Sequence, residues 1–236
     1  MAAIVRSRFY AHAALALALF ILAAFLRTFY LRFLSDLPPL SVLMQWHGLL
    51  FTAWVLLFVV QARLIAAHRV DLHMKFGIAG AVLAAVVFAV GVVTALQTGA
   101  LPGLRPSGRT GAQFVIIPLT SIVLFGALVG AGIALRRRAQ LHKRLMLLGM
   151  IAVLGPAIAR FVSLLDQRKH VIYFQVGVTA LFVAWCLIAD WRKNRILHPV
   201  FVIGGLGLIL SWPLRMALVA SPTWQPIGEW LVSFAK

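Results

Sequence analysis

The chain has 236 residues, of which 63% are hydrophobic and 11% charged, and its 22 Lys and Arg against five acids give a formal charge of +17. Soluble domains are roughly half apolar and about a quarter charged, so this balance excludes an ordinary soluble protein and predicts an integral membrane protein. The basic residues flank apolar runs and accompany no nucleic-acid-binding motif, so the partner they imply is the lipid bilayer with its anionic headgroups, not nucleic acid.

Apolar runs of about 20 residues, continuous rather than alternating, predict an all-α fold. The expected architecture is a polytopic transmembrane helical bundle of seven spans plus a C-terminal interfacial helix, one domain over 1–236. The first span covers 11–31; Arg27, Tyr30 and Arg32 stand where a small-residue cleavage site would be, so it reads as an anchor. The second, 42–62, carries Trp46-His47 at its start and Gln61 and Arg63 at its end. The third, 73–96, opens with Leu72-His73-Met74-Lys75 and presents Gly77, Gly80 and Ala84 on the histidine's face. Between Gln97 and Gln113 an irregular connection holds Pro102, Gly103, Pro106, Gly108 and Gly111, with no phosphate cradle in it.

The fourth span covers 114–135. The fifth, 144–164, follows Leu141-His142-Lys143-Arg144, a near copy of the third span's opening, and continues through Gly149 and Pro156 to Arg160. Eighteen residues, five turns of an unbroken helix, separate Arg160 from His142. The sixth, 171–190, follows His170, and the seventh, 199–219, contains Trp212-Pro213 and Arg215. Pro118, Pro156 and Pro213 predict kinks. After Pro222, the spacing of Ile227, Trp230, Leu231 and Phe234 predicts a short helix lying on the outer membrane surface.

Most of the basic residues fall on one side if the N-terminus is inside: Arg6 and Arg8; Arg63, Arg69 and Lys75; Arg136 to Arg138, Lys143 and Arg144; Arg192, Lys193 and Arg195. That asymmetry predicts an inner (cytoplasmic) membrane protein with its N-terminus inside and its C-terminus outside. Trp46, Trp212, Trp224 and Trp230 then mark the outer interface, Trp185 and Trp191 the inner one. Arg160 and Arg215, near the outer ends of their spans, are read as snorkelling cations or, alternatively, as partners for Asp166 or an anionic group of a cofactor.

This topology sorts the histidines into an inner pair, His73 and His142, and an outer pair, His47 and His170. One pair of imidazoles per leaflet is the ligand set of stacked b-type haems, each iron taking two axial nitrogens while small residues accommodate the flat macrocycle. On this reading His73, His142 and His170 are metal ligands, and His47, Gln61, Gly77, Gly80 and Arg160 belong to the cofactor environment. Gln61 offers a hydrogen bond to a cofactor or quinone, or glue between helices. Interfacial histidines that merely accompany basic residues are the competing reading. No catalytic residue is assigned, and zinc, nucleophile-elbow and Walker motifs are missing. Asp36, Asp71, Asp166 and Asp190 all fall at span ends, which argues against a transporter with a buried carboxylate.

The runs His47-Gly48-Leu49, Gln61, Arg69 to Gly77, His142-Lys143-Arg144-Leu145-Met146 and Pro156-Ala157-Ile158-Ala159-Arg160 resemble a family of uncharacterised bacterial multi-span membrane proteins with a His-basic-Gly motif. The likeness covers spans two to five and implies little about activity. In histidine placement the chain is similar to cytochrome b561-like and haem-A-synthase-like bundles, except that His73 and His142 stand at the very start of their spans. This looser similarity implies haem b and electron transfer, with a quinone or a redox partner. The alternative function is that of a non-enzymatic membrane protein: permease-like, an assembly factor or a lipid-interacting factor.

Overall fold

The computed structural model describes residues 8–103, 108–219 and 221–235; Arg6 and Pro106 lie outside them. Among the described residues the fold is all-α without strands, and seven helices are long and apolar enough to cross a membrane: Arg8–Tyr30, Val42–Ala66, Val70–Ala100, Gly111–Ala134, Ala139–Leu164, Arg168–Asn194 and Pro199–Val219. These are the seven predicted spans, several of them longer than their apolar runs. The protein is a multi-pass membrane protein. By its internal contacts the chain divides into two compact units, 1–87 and 88–236.

In the first unit, α1 (Arg8–Phe25) ends in a π-helical turn, Leu26–Tyr30, closed by the Leu31 N–H donating to the Leu26 carbonyl at 2.7 Å. That wider turn brings Phe29 and Tyr30 to the start of α2 (Val42–Ala66). There the Tyr30 hydroxyl lies 2.7 Å from Thr52 Oγ1, and a side chain at Gly48 would collide with the Phe29 ring. α1 contributes the buried small face of Ala13, Ala14, Leu17 and Ala18, and α2 contributes Trp54 and Val55. α3 (Val70–Ala100) follows after a short turn and belongs to this unit as far as Val87; its 31 residues measure about 46 Å, longer than a bilayer core of about 30 Å.

In the second unit, α4 (Gly111–Phe114) starts at a capping box in which Thr110 and Gln113 satisfy each other's backbone N–H groups. It leads into α5 (Ile116–Ala134), which forms a hairpin with α6 (Ala139–Ala152). Gly149 permits this approach, since a Cβ there would come within 2.6 Å of Val129 Cγ2. α6 is the central element, with Leu147, Leu148, Met150 and Ile151 at 2% exposure or less, and it also packs on α8 (Val171–Asn194) and α9 (Pro199–Val219).

Span five is broken rather than kinked. α6 ends at Ala152 and α7 (Gly155–Leu164) begins two residues after Val153, with Pro156 in its first turn. Proline cannot donate to the preceding turn, so the break falls where the ring would enter the helix interior. Gln175 of α8 braces the start of α7, its Nε2 donating to the Gly155 carbonyl at 2.9 Å. Pro213, by contrast, lies within continuous α9, and Pro118 sits in the first turn of α5.

The C-terminal helix α10 (Trp224–Ser233) packs Gly228 and Val232 against α4 and leaves Ile227, Trp230 and Phe234 exposed. The exposed trio is most of the apolar stripe expected to meet the membrane surface.

Candidate functional site

His73 and His142 occupy equivalent positions in their helices. Each is the fourth residue, and its backbone N–H donates at 3.0 Å to the carbonyl of an arginine, Arg69 or Arg138, that precedes the helix. The match extends in register through Leu72 and Leu141, Lys75 and Arg144, and Gly80 and Gly149. Both histidines therefore stand one turn inside their helices, not at the very start as the apolar runs suggested, because the helices continue past the apolar residues into the flanking polar ones.

His142 is further oriented by α5: its Nδ1 lies 2.8 Å from the Gly132 carbonyl. Only a protonated Nδ1 can donate to a carbonyl, so the neutral ring carries its lone pair on Nε2. Metal-ligating histidines are commonly held in this way. In the other unit, His47 is half-buried and stacks on Phe51 one turn along α2, with ring centroids 4.3 Å apart. His170 ends the single 3-10 turn Arg168–His170 ahead of α8, its ring 6.1 Å from Tyr173. The structure thus assigns His47 and His73 to the first unit and His142 and His170 to the second.

Gln61 has both amide atoms buried and without a hydrogen-bond partner among the described residues. Gly80 packs on Leu57, whose Cδ2 would lie 3.4 Å from a Cβ at that glycine. Gln61 is one turn further along α2 and Gly77 about one turn back along α3, so the amide and Gly77 stand at the same level of this helix pair. A Cβ at Gly77 would meet nothing within 4 Å. The expected small-residue face is therefore open at Gly77 and in contact at Gly80. Arg160 lies on α7, where its Nη1 donates to the Pro156 carbonyl at 3.0 Å. The break between α6 and α7 interrupts the five-turn register that would place it on the face of His142.

No protein family matches the chain, nor does any curated protein or solved structure. The functional reading rests on the side chains themselves.

Three arrangements were not anticipated from the sequence. Asp190 is buried, contrary to its reading as an ordinary span-end acid, and Arg144 grips it through Nε at 2.9 Å and Nη2 at 2.6 Å. Gln140 and Asn194 complete the cluster, each hydrogen-bonded to one member. Arg215 does not snorkel: it is 2% exposed and donates through Nη1 to Ser121 Oγ and through Nη2 to Ser211 Oγ. Trp212 is likewise buried, not interfacial, and its ring lies 4.2 Å from the Arg215 guanidinium carbon. For Arg215 the signal in the sequence was a lone charge in an otherwise uncharged helix; Arg144 and Asp190 stand among other charges and gave no such signal. Among the described residues no group of three or more His, Cys, Asp and Glu comes together.

Proposed function

We propose that the protein binds b-type haem and carries electrons in the bacterial cytoplasmic membrane, with His73 and His142 as axial imidazoles on the inner side and His47 and His170 as a second set. The observation that carries this reading is the Gly132 carbonyl beside His142 Nδ1, which leaves Nε2 as the nitrogen suited to iron. The open face of Gly77 and the unpartnered Gln61 amide fit the edge of a flat, polar-substituted cofactor, haem or quinone. When bound, haem would supply a one-electron couple at its iron; of the ligating rings the chain orients that of His142 through the Gly132 carbonyl. The basic residues beside His73, His142 and His170 suit propionate groups.

The alternative, a non-enzymatic permease-like, assembly or lipid-interacting factor, draws its support from His170, which lies in a turn beside exposed Arg168 and Lys169. Absorption spectra of the detergent-purified protein from haem-replete cells, oxidised and then dithionite-reduced, separate the two. A Soret band with sharp reduced α-bands that are lost in His142→Ala and His73→Ala is the expected result. Colourless protein refutes the haem reading.

A further inference from the structure

We infer that the end of α9 that carries Arg215 and Val219 is a binding site for an anionic phosphate group, entered through a cavity whose wall includes Val219, one turn along the helix from Arg215. Arg215 is almost wholly buried, and every hydrogen bond it makes goes to a neutral oxygen: Ser121 Oγ at 2.8 Å, the Ile117 carbonyl at 3.4 Å and Ser211 Oγ at 3.0 Å. Its Nε–H is buried and has no partner among the described residues. The other partner of Arg215 is the Trp212 ring, 4.2 Å from the guanidinium carbon, which carries no negative charge; an ionisable side chain buried inside a membrane helical bundle is costly and points to a functional site.

The surroundings supply the way in. Val219 stands one turn outward from Arg215 on the same face of α9, and Gln113 one turn outward from Ile117 on the facing helix. These two residues, with Thr110, Ser221, Pro222 and Gln225, line a cavity of about 550 Å³. A second guanidinium is that of Arg109, the residue before the lining residue Thr110; it reaches Met216, the residue after Arg215, with Nη2 3.6 Å from the thioether sulfur. A thioether is a weak acceptor that cannot neutralise the charge. Glu229 on α10 is engaged by Gln225 Nε2 at 2.6 Å, which turns the buried, unpartnered Gln225 Oε1 away from that bond.

Two arginines with no carboxylate partner, set among hydroxyl and amide groups, have the chemistry of a phosphate site. The phosphate can belong to a lipid headgroup or be free in solution, and the site does not depend on the haem reading.

The test is thermal unfolding of the detergent-purified full chain at constant ionic strength. One arm titrates sodium phosphate against sodium chloride; the other titrates dioleoylphosphatidylglycerol against dioleoylglycerol, which lacks the phosphate. A saturable rise in melting temperature in the first arm assigns a soluble phosphate, and in the second a lipid headgroup. The apparent affinity should fall at least tenfold in Arg109→Gln and in Ser221→Trp, which obstructs the cavity without touching either cation. Arg215→Gln should abolish the response; if that variant does not fold, the other two decide. A wild-type protein that responds in neither arm, or a response that either accessible variant leaves unchanged, overturns the proposal.

Discussion

Arg144 and Asp190, 46 residues apart, meet in a two-pronged ion pair with Nε–Oδ2 at 2.9 Å and Nη2–Oδ1 at 2.6 Å, their side chains only 2% and 6% exposed. The pair fastens α6 to α8 where apolar packing alone would leave the angle between them free. Removing one member strands the other as a buried charge, so Arg144→Ala and Asp190→Ala should each cost about 3–5 kcal/mol. The double substitution Arg144→Met with Asp190→Leu removes both charges and should recover most of that loss. Chemical unfolding in detergent micelles reads the difference. Additive losses in the double variant would mean that the two residues act independently.

The seven spans were legible because burial in lipid demands unbroken apolar runs, and those are visible in any window of the chain. What happens within a span was less so. Pro156 announces a disturbance, but the local sequence does not separate a kink from a complete break, and the bond that braces the start of α7 comes from Gln175, twenty residues away. Arg215 reads as a snorkelling cation from its place near a helix end; only the approach of Ser121 from α5 turns it inward. Asp190 is similar, since its burial depends on a partner two helices earlier. The matched positions of His73 and His142 were readable because they are local, a repeat of Arg, Leu, His and a basic residue that fixes the same first helical turn twice.

Two glycines should respond in opposite directions. A Cβ at Gly228 would lie 2.3 Å from the Ala112 carbonyl oxygen, a backbone atom that cannot swing aside. Gly228→Ala should therefore loosen α10 from α4 at a cost of about 1–3 kcal/mol. The Trp224 indole, which donates to the same carbonyl at 3.1 Å, should then shift its fluorescence to the red. At Gly77 a Cβ meets open space, and Gly77→Ala should raise stability by up to about 1 kcal/mol through helix propensity. A loss of stability there would show that the space beside Gly77 is occupied.

Gln61 offers a test of function against structure. Its amide is buried without hydrogen bonds among the described residues, and an unsatisfied buried polar group costs about 1–3 kcal/mol. Gln61→Leu keeps the volume and removes that cost, so the purified protein without ligand should melt higher than wild type. If the amide serves a cofactor, the same variant should bind haem or a quinone analogue more weakly or shift the haem midpoint potential. Greater stability with unchanged ligand properties would assign Gln61 no functional part.

His198 should make stability depend on pH. It lies between α8 and α9, where its Nδ1 accepts the Val200 N–H at 3.2 Å and so caps the start of α9. Burial first, then the charge of Arg144 and Lys143, hold its imidazole below the ordinary histidine value of 6.5, with Asp190 pulling the other way. The unfolded chain therefore takes up this proton at higher pH than the folded protein does. The stabilisation is complete above about 6.5 and is lost as the pH falls through that value toward the lower folded one. Protonation also ends the cap, because a protonated Nδ1 cannot accept the Val200 N–H. Asparagine can make the same bond through its side-chain oxygen and does not titrate. Melting curves recorded between pH 5 and 8, a window of about three units around the histidine range, should fall less steeply toward acid in His198→Asn than in wild type. Curves of equal slope would remove His198 from the account.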